Sequence, residues 1–178
     1  ASYPKSGNTW IRLFLKSYFS KKEEDLDINK NIIIPSFPIP KYFEMLNIDY
    51  TNFMDLAKNW IPLQDTINLN GETNFLKTHN GMFAINGHKF TNSENTSGAI
   101  YLVRDPRDIV ISYAHHFSST YVEAINKMLS PKNFEKMEYK NKLYSHSLMG
   151  SWSDNYNSWK SYKPTNLLII KYEDLIKD

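Results

Sequence analysis

The first ten residues constrain the fold of this chain most, because their order is typical of a strand end, a tight loop and a helix start. Pro4 has no N–H with which to continue a strand ladder. Gly7 lets the backbone turn sharply and approach a ligand closely. Asn8 and Thr9 are short polar residues that suit the first helical turn, and the apolar residues after them recur at helical spacing. This stretch therefore predicts a strand–loop–helix unit.

A loop of this kind is suited to holding an anion. It points several backbone N–H groups and a helix N-terminus at one place, and Lys5 adds a mobile positive charge there. The lysine precedes the glycine, so the loop is not the Walker A pattern. A simple turn with a solvated lysine is the alternative interpretation of Lys5-Ser6-Gly7 taken alone.

The composition limits the class of protein. A chain of 178 residues with 41% hydrophobic and 15% aromatic residues is expected to form one globular domain. A net charge of +2 does not favour a nucleic-acid partner. The absence of cysteine excludes disulfides, thiolate metal sites and a cysteine nucleophile. Neither a bilayer-spanning apolar run nor a signal-peptide layout is present, so we expect a cytoplasmic protein. Oligomeric state is left open.

Two later runs predict buried parallel strands. Residues 99–104 are apolar and β-prone. Asp105 and Pro106 then mark a helix start. Arg104 at the strand end and Ser112 about two turns into that helix are placed to hold one phosphate. Residues 167–172 predict the second strand. Alternating strands and helices indicate an α/β fold with a parallel sheet.

A histidine follows another predicted strand, at residues 74–79. Ligands of open α/β sheets bind beyond the carboxyl ends of the strands, so we expect His79 to face the site, with Lys77 nearby. A structural histidine is the alternative. The adjacent pair His115-His116 does not predict a metal site, because neighbouring helix positions face different directions.

The remaining segments predict the scaffold. We expect an extended segment over 32–40, where prolines alternate, and a helix over 42–56 whose aromatic residues enter the core or line an acceptor pocket. A long connection over 80–98, a helix over 121–129 and a charged, exposed connection over 132–142 are expected to follow. Trp152 and Trp159 are expected to pack in the core.

Together these segments resemble the sulfotransferases that use 3'-phosphoadenosine 5'-phosphosulfate. Residues 3–10, Tyr-Pro-Lys-Ser-Gly-Asn-Thr-Trp, resemble the family's 5'-phosphosulfate loop, with Asn8 in place of a threonine. Arg104, Asp-Pro-Arg-Asp and Ser112 resemble its 3'-phosphate motif. Weaker matches are Lys-Thr-His at 77–79, Gly-Ser-Trp at 150–152 and Tyr-Glu-Asp at 172–174. The resemblance implies a P-loop-NTPase-like parallel β-sheet flanked by helices.

The resemblance also implies a function: transfer of a sulfuryl group to a hydroxyl or amine acceptor, with adenosine 3',5'-bisphosphate as the other product and no metal. Small molecules, lipids and carbohydrates are the expected acceptor classes. The implied catalytic residues are His79 as general base, Lys5 stabilising the leaving group and Lys77 in support. The implied nucleotide-binding residues are Ser6, Gly7, Asn8 and Thr9 for the 5'-phosphate, Arg104 and Ser112 for the 3'-phosphate, and Trp10 and Tyr172 for the adenine.

One departure concerns the ends of the chain. The family's Arg-Lys-Gly segment near its C-terminus, and most of the strand before the loop, have no counterpart here. We therefore expect residues 1–178 to be a single sulfotransferase domain truncated at both ends.

Two other functions are left open. A P-loop small-molecule kinase would place its lysine after the glycine and use a magnesium-binding hydroxyl with a strand-end acid. A non-catalytic domain that binds nucleotides or sulfated glycans would share the anion loop but would not need His79.

Overall fold

The computed structural model describes residues 1–19, 34–162 and 166–177. The first residues of the expected extended segment over 32–40 lie outside the described residues. No helix in the described part of the chain is long and apolar enough to cross a membrane. The helices are α1 (Asn8–Phe19), α2 (Pro40–Met45), α3 (Phe53–Lys58), α4 (Trp60–Asn68), α5 (Pro106–His116), α6 (Tyr121–Leu129), α7 (Trp152–Lys160) and α8 (Tyr172–Leu175). The strands are β1 (Ala84–Ile85), β2 (His88–Lys89), β3 (Gly98–Val103), β4 (Phe134–Tyr139), β5 (Lys142–Leu148) and β6 (Asn166–Lys171).

A parallel sheet organises the molecule. Strands β3 and β6 pair in parallel over their whole lengths. Ser2 forms a parallel bridge with Leu102 of β3, and its N–H donates to the carbonyl of Thr78 at 3.2 Å. The segment that precedes the anion loop therefore lies between β3 and the segment that precedes His79. The predicted α/β fold with a parallel sheet is confirmed.

The predicted strand at 74–79 is reduced to a single parallel bridge between Ser36 and Lys77. The N–H of Lys77 donates to Pro35 at 2.8 Å, and its carbonyl accepts from Phe37 at 2.7 Å. The pairing ends there because Pro35 and Pro38 have no N–H to donate. In the described part of the proline-rich segment, Ser36 forms this bridge and Ile39 has extended backbone before Pro40 begins α2.

Local capping explains the helices next to the sheet. The Asp105 side chain accepts from the N–H of Arg107 at 2.9 Å and caps α5, as its position before Pro106 predicts. A capping box between Thr120 and Glu123 starts α6, which confirms the predicted helix over 121–129. These two helices pack together, and their shared buried residues are Ile109, Tyr113, Ala114, Ala124 and Met128.

The predicted single helix over 42–56 is wrong. It is divided into α2 and α3, with Asn47 at a φ of 54° between them. The Asn52 side chain accepts from the N–H of Met54 and starts a new helix. Short polar side chains that bond the nearby backbone compete with a continuous helix. The aromatic residues of this stretch do enter the core, where Phe43 and Tyr50 are buried.

The expected exposed connection over 132–142 is also wrong, because β4 and β5 form an antiparallel hairpin there. Lys140 and Asn141 occupy its two-residue turn with φ values of 50° and 60°, as a type I′ turn requires. The base of the hairpin contacts the segment after His79, since the N–H of Leu148 donates to the Asn80 side chain at 2.8 Å. The hairpin therefore forms one wall beside His79.

Candidate active site

The anion loop follows the Ser2 bridge and leads directly into α1. Lys5 and Gly7 both have positive φ, 67° and 96°. A Cβ atom on Gly7 would lie 2.5 Å from Cδ2 of Tyr172, so this position needs glycine both for its conformation and for the close approach of the ring. The Ser6 hydroxyl is buried and has no hydrogen-bond partner within the described part of the chain.

Arg104 joins this loop to the ends of the two main strands. Its Nη1 donates to the carbonyl oxygen of Lys5 at 3.1 Å, and its guanidinium lies 4.4 Å from the centre of the Tyr172 ring. The next residue is held in the same region, because the N–H of Asp105 donates to Oε1 of Glu173 at 2.8 Å. The carboxyl ends of β3 and β6 thus hold a cation against the anion loop.

His79 contacts Ser2, the residue just before the anion loop. Its Nδ1 is 2.7 Å from the carbonyl oxygen of Ser2. Because a carbonyl only accepts hydrogen bonds, Nδ1 must carry the proton, and Nε2 keeps its lone pair. The backbone of His79 is held by Asn155, whose side chain donates to its carbonyl at 3.1 Å. This tautomer can accept a proton at Nε2.

The surroundings of His79 keep the imidazole neutral. Burial is the main cause that lowers its pKa to about 3, and the nearby charge of Lys77 lowers it further. The pKa of Lys77 is itself lowered by burial, while the carboxylate of Glu135 acts in the opposite direction. His79 is therefore unprotonated at neutral pH, as a general base has to be.

The structure adds two residues that the sequence did not point to. Oε2 of Glu135, on β4, is 3.0 Å from Nε2 of the buried His146, on β5. Burial would raise the pKa of Glu135, yet the bond with His146 and the positive charge of Lys77 help to bring it down to about 2. Residues 134–139 do not alternate strictly between apolar and polar side chains, and their charges favoured an exposed segment.

The other predicted site residues lie at the start of α1 and within α5. Trp10 is 45% exposed and stacks on Phe14 at 5.9 Å between ring centres. Thr9 is exposed beside it, and Ser112 is half-buried in α5. Asn8 is buried and its amide contacts Ser2. The geometry thus joins Lys5, Gly7, Arg104 and Tyr172 directly and links His79 to them through Ser2. Among the described residues, neither Trp10 nor Ser112 makes a hydrogen bond or ring contact to this group.

A separate cavity of about 900 Å³ extends from α1 to the amino ends of β3 and β6. Asn8 and Lys77 line one of its walls, whereas His79 and Arg104 do not. Ligands of parallel sheets bind at the carboxyl ends of the strands. We therefore place the candidate site at the anion loop and not in this cavity.

A parallel α/β sheet with a strand–loop–helix unit at the carboxyl ends of its strands is typical of P-loop-like α/β proteins. Residues 1–178 match the family model described as a sulfotransferase domain. The chain therefore belongs to the sulfotransferase family, as the motifs at 3–10 and 104–112 predicted.

The similar proteins include sulfotransferases from insects and mammals. Luciferin sulfotransferase of Photinus pyralis is 28% identical over 100% of this chain and 46% of its own length. Sulfotransferase 1E1 of Rattus norvegicus is 28% identical over 99% of this chain and 52% of its own. A 3-alpha-hydroxysteroid sulfotransferase of Cavia porcellus is 26% identical over 99% and 52%. The chain thus spans about half the length of these relatives.

Proposed function

We propose that the protein transfers a sulfuryl group from 3'-phosphoadenosine 5'-phosphosulfate to a hydroxyl or amine of a small-molecule acceptor. The observation that carries the proposal is the position of His79, whose Nδ1 is bonded to Ser2 three residues before Lys5. A neutral imidazole beside an anion loop suits a reaction in which an acceptor loses a proton as it attacks an activated anion.

The residues present fit a nucleotide with two phosphorylated positions. The Ser6 hydroxyl and Nε of Arg104 are buried polar atoms without hydrogen-bond partners among the described residues, and phosphate oxygens would satisfy both. The loop amides of Gly7 and Asn8 would hold the 5'-phosphate, with the Thr9 hydroxyl. Arg104 and Ser112 would hold the 3'-phosphate, and Trp10 and Tyr172 would contact the adenine.

The chemical step follows from the tautomer of His79. Its Nε2 takes the proton from the acceptor hydroxyl while the acceptor oxygen forms a bond to sulfur. The bond between sulfur and the oxygen of the 5'-phosphate breaks, and that oxygen leaves with the electron pair on adenosine 3',5'-bisphosphate. Lys5 stabilises the charge that grows on the leaving oxygen, and Lys77 adds positive charge on the side of His79.

The relatives support a small-molecule acceptor. One is named for luciferin and another for a 3-alpha-hydroxysteroid, and the second name denotes a small molecule that carries a hydroxyl group. We propose that the β4–β5 hairpin, which lies beside His79, forms part of the acceptor side of the site.

The proposal is tested with the whole protein. A thermal-shift comparison of adenosine 3',5'-bisphosphate with AMP, ADP and ATP should show the largest stabilisation by the first compound. Transfer of radioactive sulfate from the donor to a panel of phenols, steroids and amines should be measurable in the wild type and lost in His79→Ala. Preference for ATP with release of ADP would instead support a kinase. Unchanged transfer in a folded His79→Ala would refute the role of the base.

A further inference from the structure

Asn8 occupies the position where the family's loop usually has threonine, and its side chain turns away from solvent. Asn8 is 9% exposed, and its Nδ2 donates to Oγ of Ser2 at 3.1 Å. A side chain that served the phosphate would leave its amide N–H groups free for phosphate oxygens. Here one amide donor is already bonded to the residue that holds His79.

Ser2 connects Asn8 to the imidazole by two routes. Its carbonyl oxygen accepts from Nδ1 of His79 at 2.7 Å, and its Oγ lies 3.4 Å from the same nitrogen. Ser2 is 1% exposed, so water does not compete for these contacts. Because Asn8 donates to Oγ, the Ser2 side chain is tied to the first turn of α1.

The alternative tautomer of His79, with its proton on Nε2, could not take a proton from an acceptor at that nitrogen. With the proton on Nε2, the bare Nδ1 would face the Ser2 carbonyl at 2.7 Å, and two acceptors would repel each other. The other stabilising possibility is a Ser2 hydroxyl that rotates to donate to Nδ1. At 3.4 Å, however, Oγ is the more distant partner of Nδ1, and the bond from Asn8 holds Ser2 where its carbonyl, at 2.7 Å, is the nearer one.

We propose that Asn8 is a positioning residue for His79, which acts through Ser2 to hold the proton on Nδ1 and leave Nε2 as the base. This inference rests on the proposed function for its catalytic consequence, but the hydrogen-bonded series Asn8–Ser2–His79 does not. The series also connects the first turn of α1, next to the nucleotide loop, to the base.

The experiment compares Asn8→Ala with the wild type in the whole protein. The ¹⁵N chemical shifts of the His79 imidazole report its tautomer without any need for activity. In Asn8→Ala we expect the two nitrogen shifts to move toward each other, as the tautomers become mixed. With the sulfate donor we expect kcat to fall about five- to tenfold, the value of one hydrogen bond. The dissociation constant of adenosine 3',5'-bisphosphate should change less than twofold.

A phosphate-binding role for the Asn8 side chain gives the opposite pattern. The dissociation constant would rise and the imidazole shifts would stay as in the wild type, and that outcome would overturn the proposal. Ser2→Ala is the second variant if Asn8→Ala does not fold; it removes Oγ but keeps the carbonyl, and it should change the same imidazole shifts. Asn157→Ala, an exposed asparagine on α7, is the matched control and should change none of these quantities.

The two proposals fail separately. A shifted tautomer in a protein that transfers no sulfuryl group would support the positioning role and refute the function. Sulfuryl transfer with unchanged imidazole shifts in Asn8→Ala would support the proposed function and refute the positioning role of Asn8.

Discussion

Nη1 of Arg104 donates to the carbonyl oxygen of Lys5 at 3.1 Å, although the two residues are 99 positions apart in the chain. This bond connects the end of β3 to the anion loop and holds the loop in a conformation with two positive-φ residues. The arrangement of the candidate site therefore depends on a contact between distant segments of the chain.

Arg104→Ala should weaken binding of adenosine 3',5'-bisphosphate more than binding of AMP. Hydrogen bonds to charged groups contribute about 1.5–3 kcal/mol, so we expect a loss of about 10- to 150-fold for the first ligand. Arg107→Ala is the matched control, because that side chain is 88% exposed in the same turn. Calorimetric titration measures each affinity. Equal losses for both nucleotides would contradict a role at the 3'-phosphate.

Gly7→Ala should destabilise the fold and weaken nucleotide binding. Alanine at a φ of 96° is strained, and its Cβ would collide with the Tyr172 ring, so we expect a cost of at least about 1–3 kcal/mol. Gly87→Ala has a similar φ of 84° but open space around it, and it separates backbone strain from collision. Urea unfolding measures both variants. An equal loss in the two would show that the contact with Tyr172 is unimportant.

The lowered pKa of His79 predicts a loss of stability in mild acid. The pKa of His79 is about 3 in the folded chain against an ordinary 6.5, so the unfolded chain binds a proton first as the pH falls. The contribution of His79 to the free energy of unfolding is therefore fully present above pH 6.5. It decreases below that pH, by on the order of 2 kcal/mol at pH 5.

His79→Asn keeps a donor for the Ser2 carbonyl but has no titration in this range. Its free energy of unfolding, measured in urea at several pH values between 7 and 5, should therefore decrease less than that of the wild type. Glu135, whose folded pKa is about 2, affects stability only below this window. Parallel curves for the two proteins would refute the neutral state of His79.

Glu135→Gln should make the reaction sensitive to alkaline pH. The Glu135 carboxylate raises the pKa of Lys77 against the effect of burial, so its removal lowers that pKa. If Lys77 acts as an ammonium group, the alkaline decrease of kcat should move to lower pH in this variant. Glu138→Gln, an exposed acid on the same strand, is the control. An unmoved alkaline limb would show that the charge of Lys77 has no part in the reaction.

The sequence predicted well the elements that depend on local signals. Pro4 and Gly7 indicated the loop, and Asp105 before Pro106 indicated the start of α5, because turn and capping preferences involve residues close together in the chain. The family resemblance came from the same short motifs. The apolar run of β3 likewise predicted a buried parallel strand, and its pairing with β6 confirms this.

Long-range contacts decided the rest. The charged residues of 132–142 favoured an exposed segment over the β4–β5 hairpin. The residue that compensates the half-buried Glu135 is His146 on the facing strand, whose Nε2 is 3.0 Å from Oε2 of Glu135. A charge that leaves water needs such a partner, and the local sequence around Glu135 does not contain it. The side-chain amide of Asn8 bonds Ser2, which the sheet holds beside His79, and no pattern near Asn8 in the sequence indicates that contact. The amino-acid order alone determined where the anion loop and the strands lie along the chain. Tertiary structure decided which side chains meet there and with what charge, because hydrogen bonding and desolvation depend on neighbours that only folding supplies.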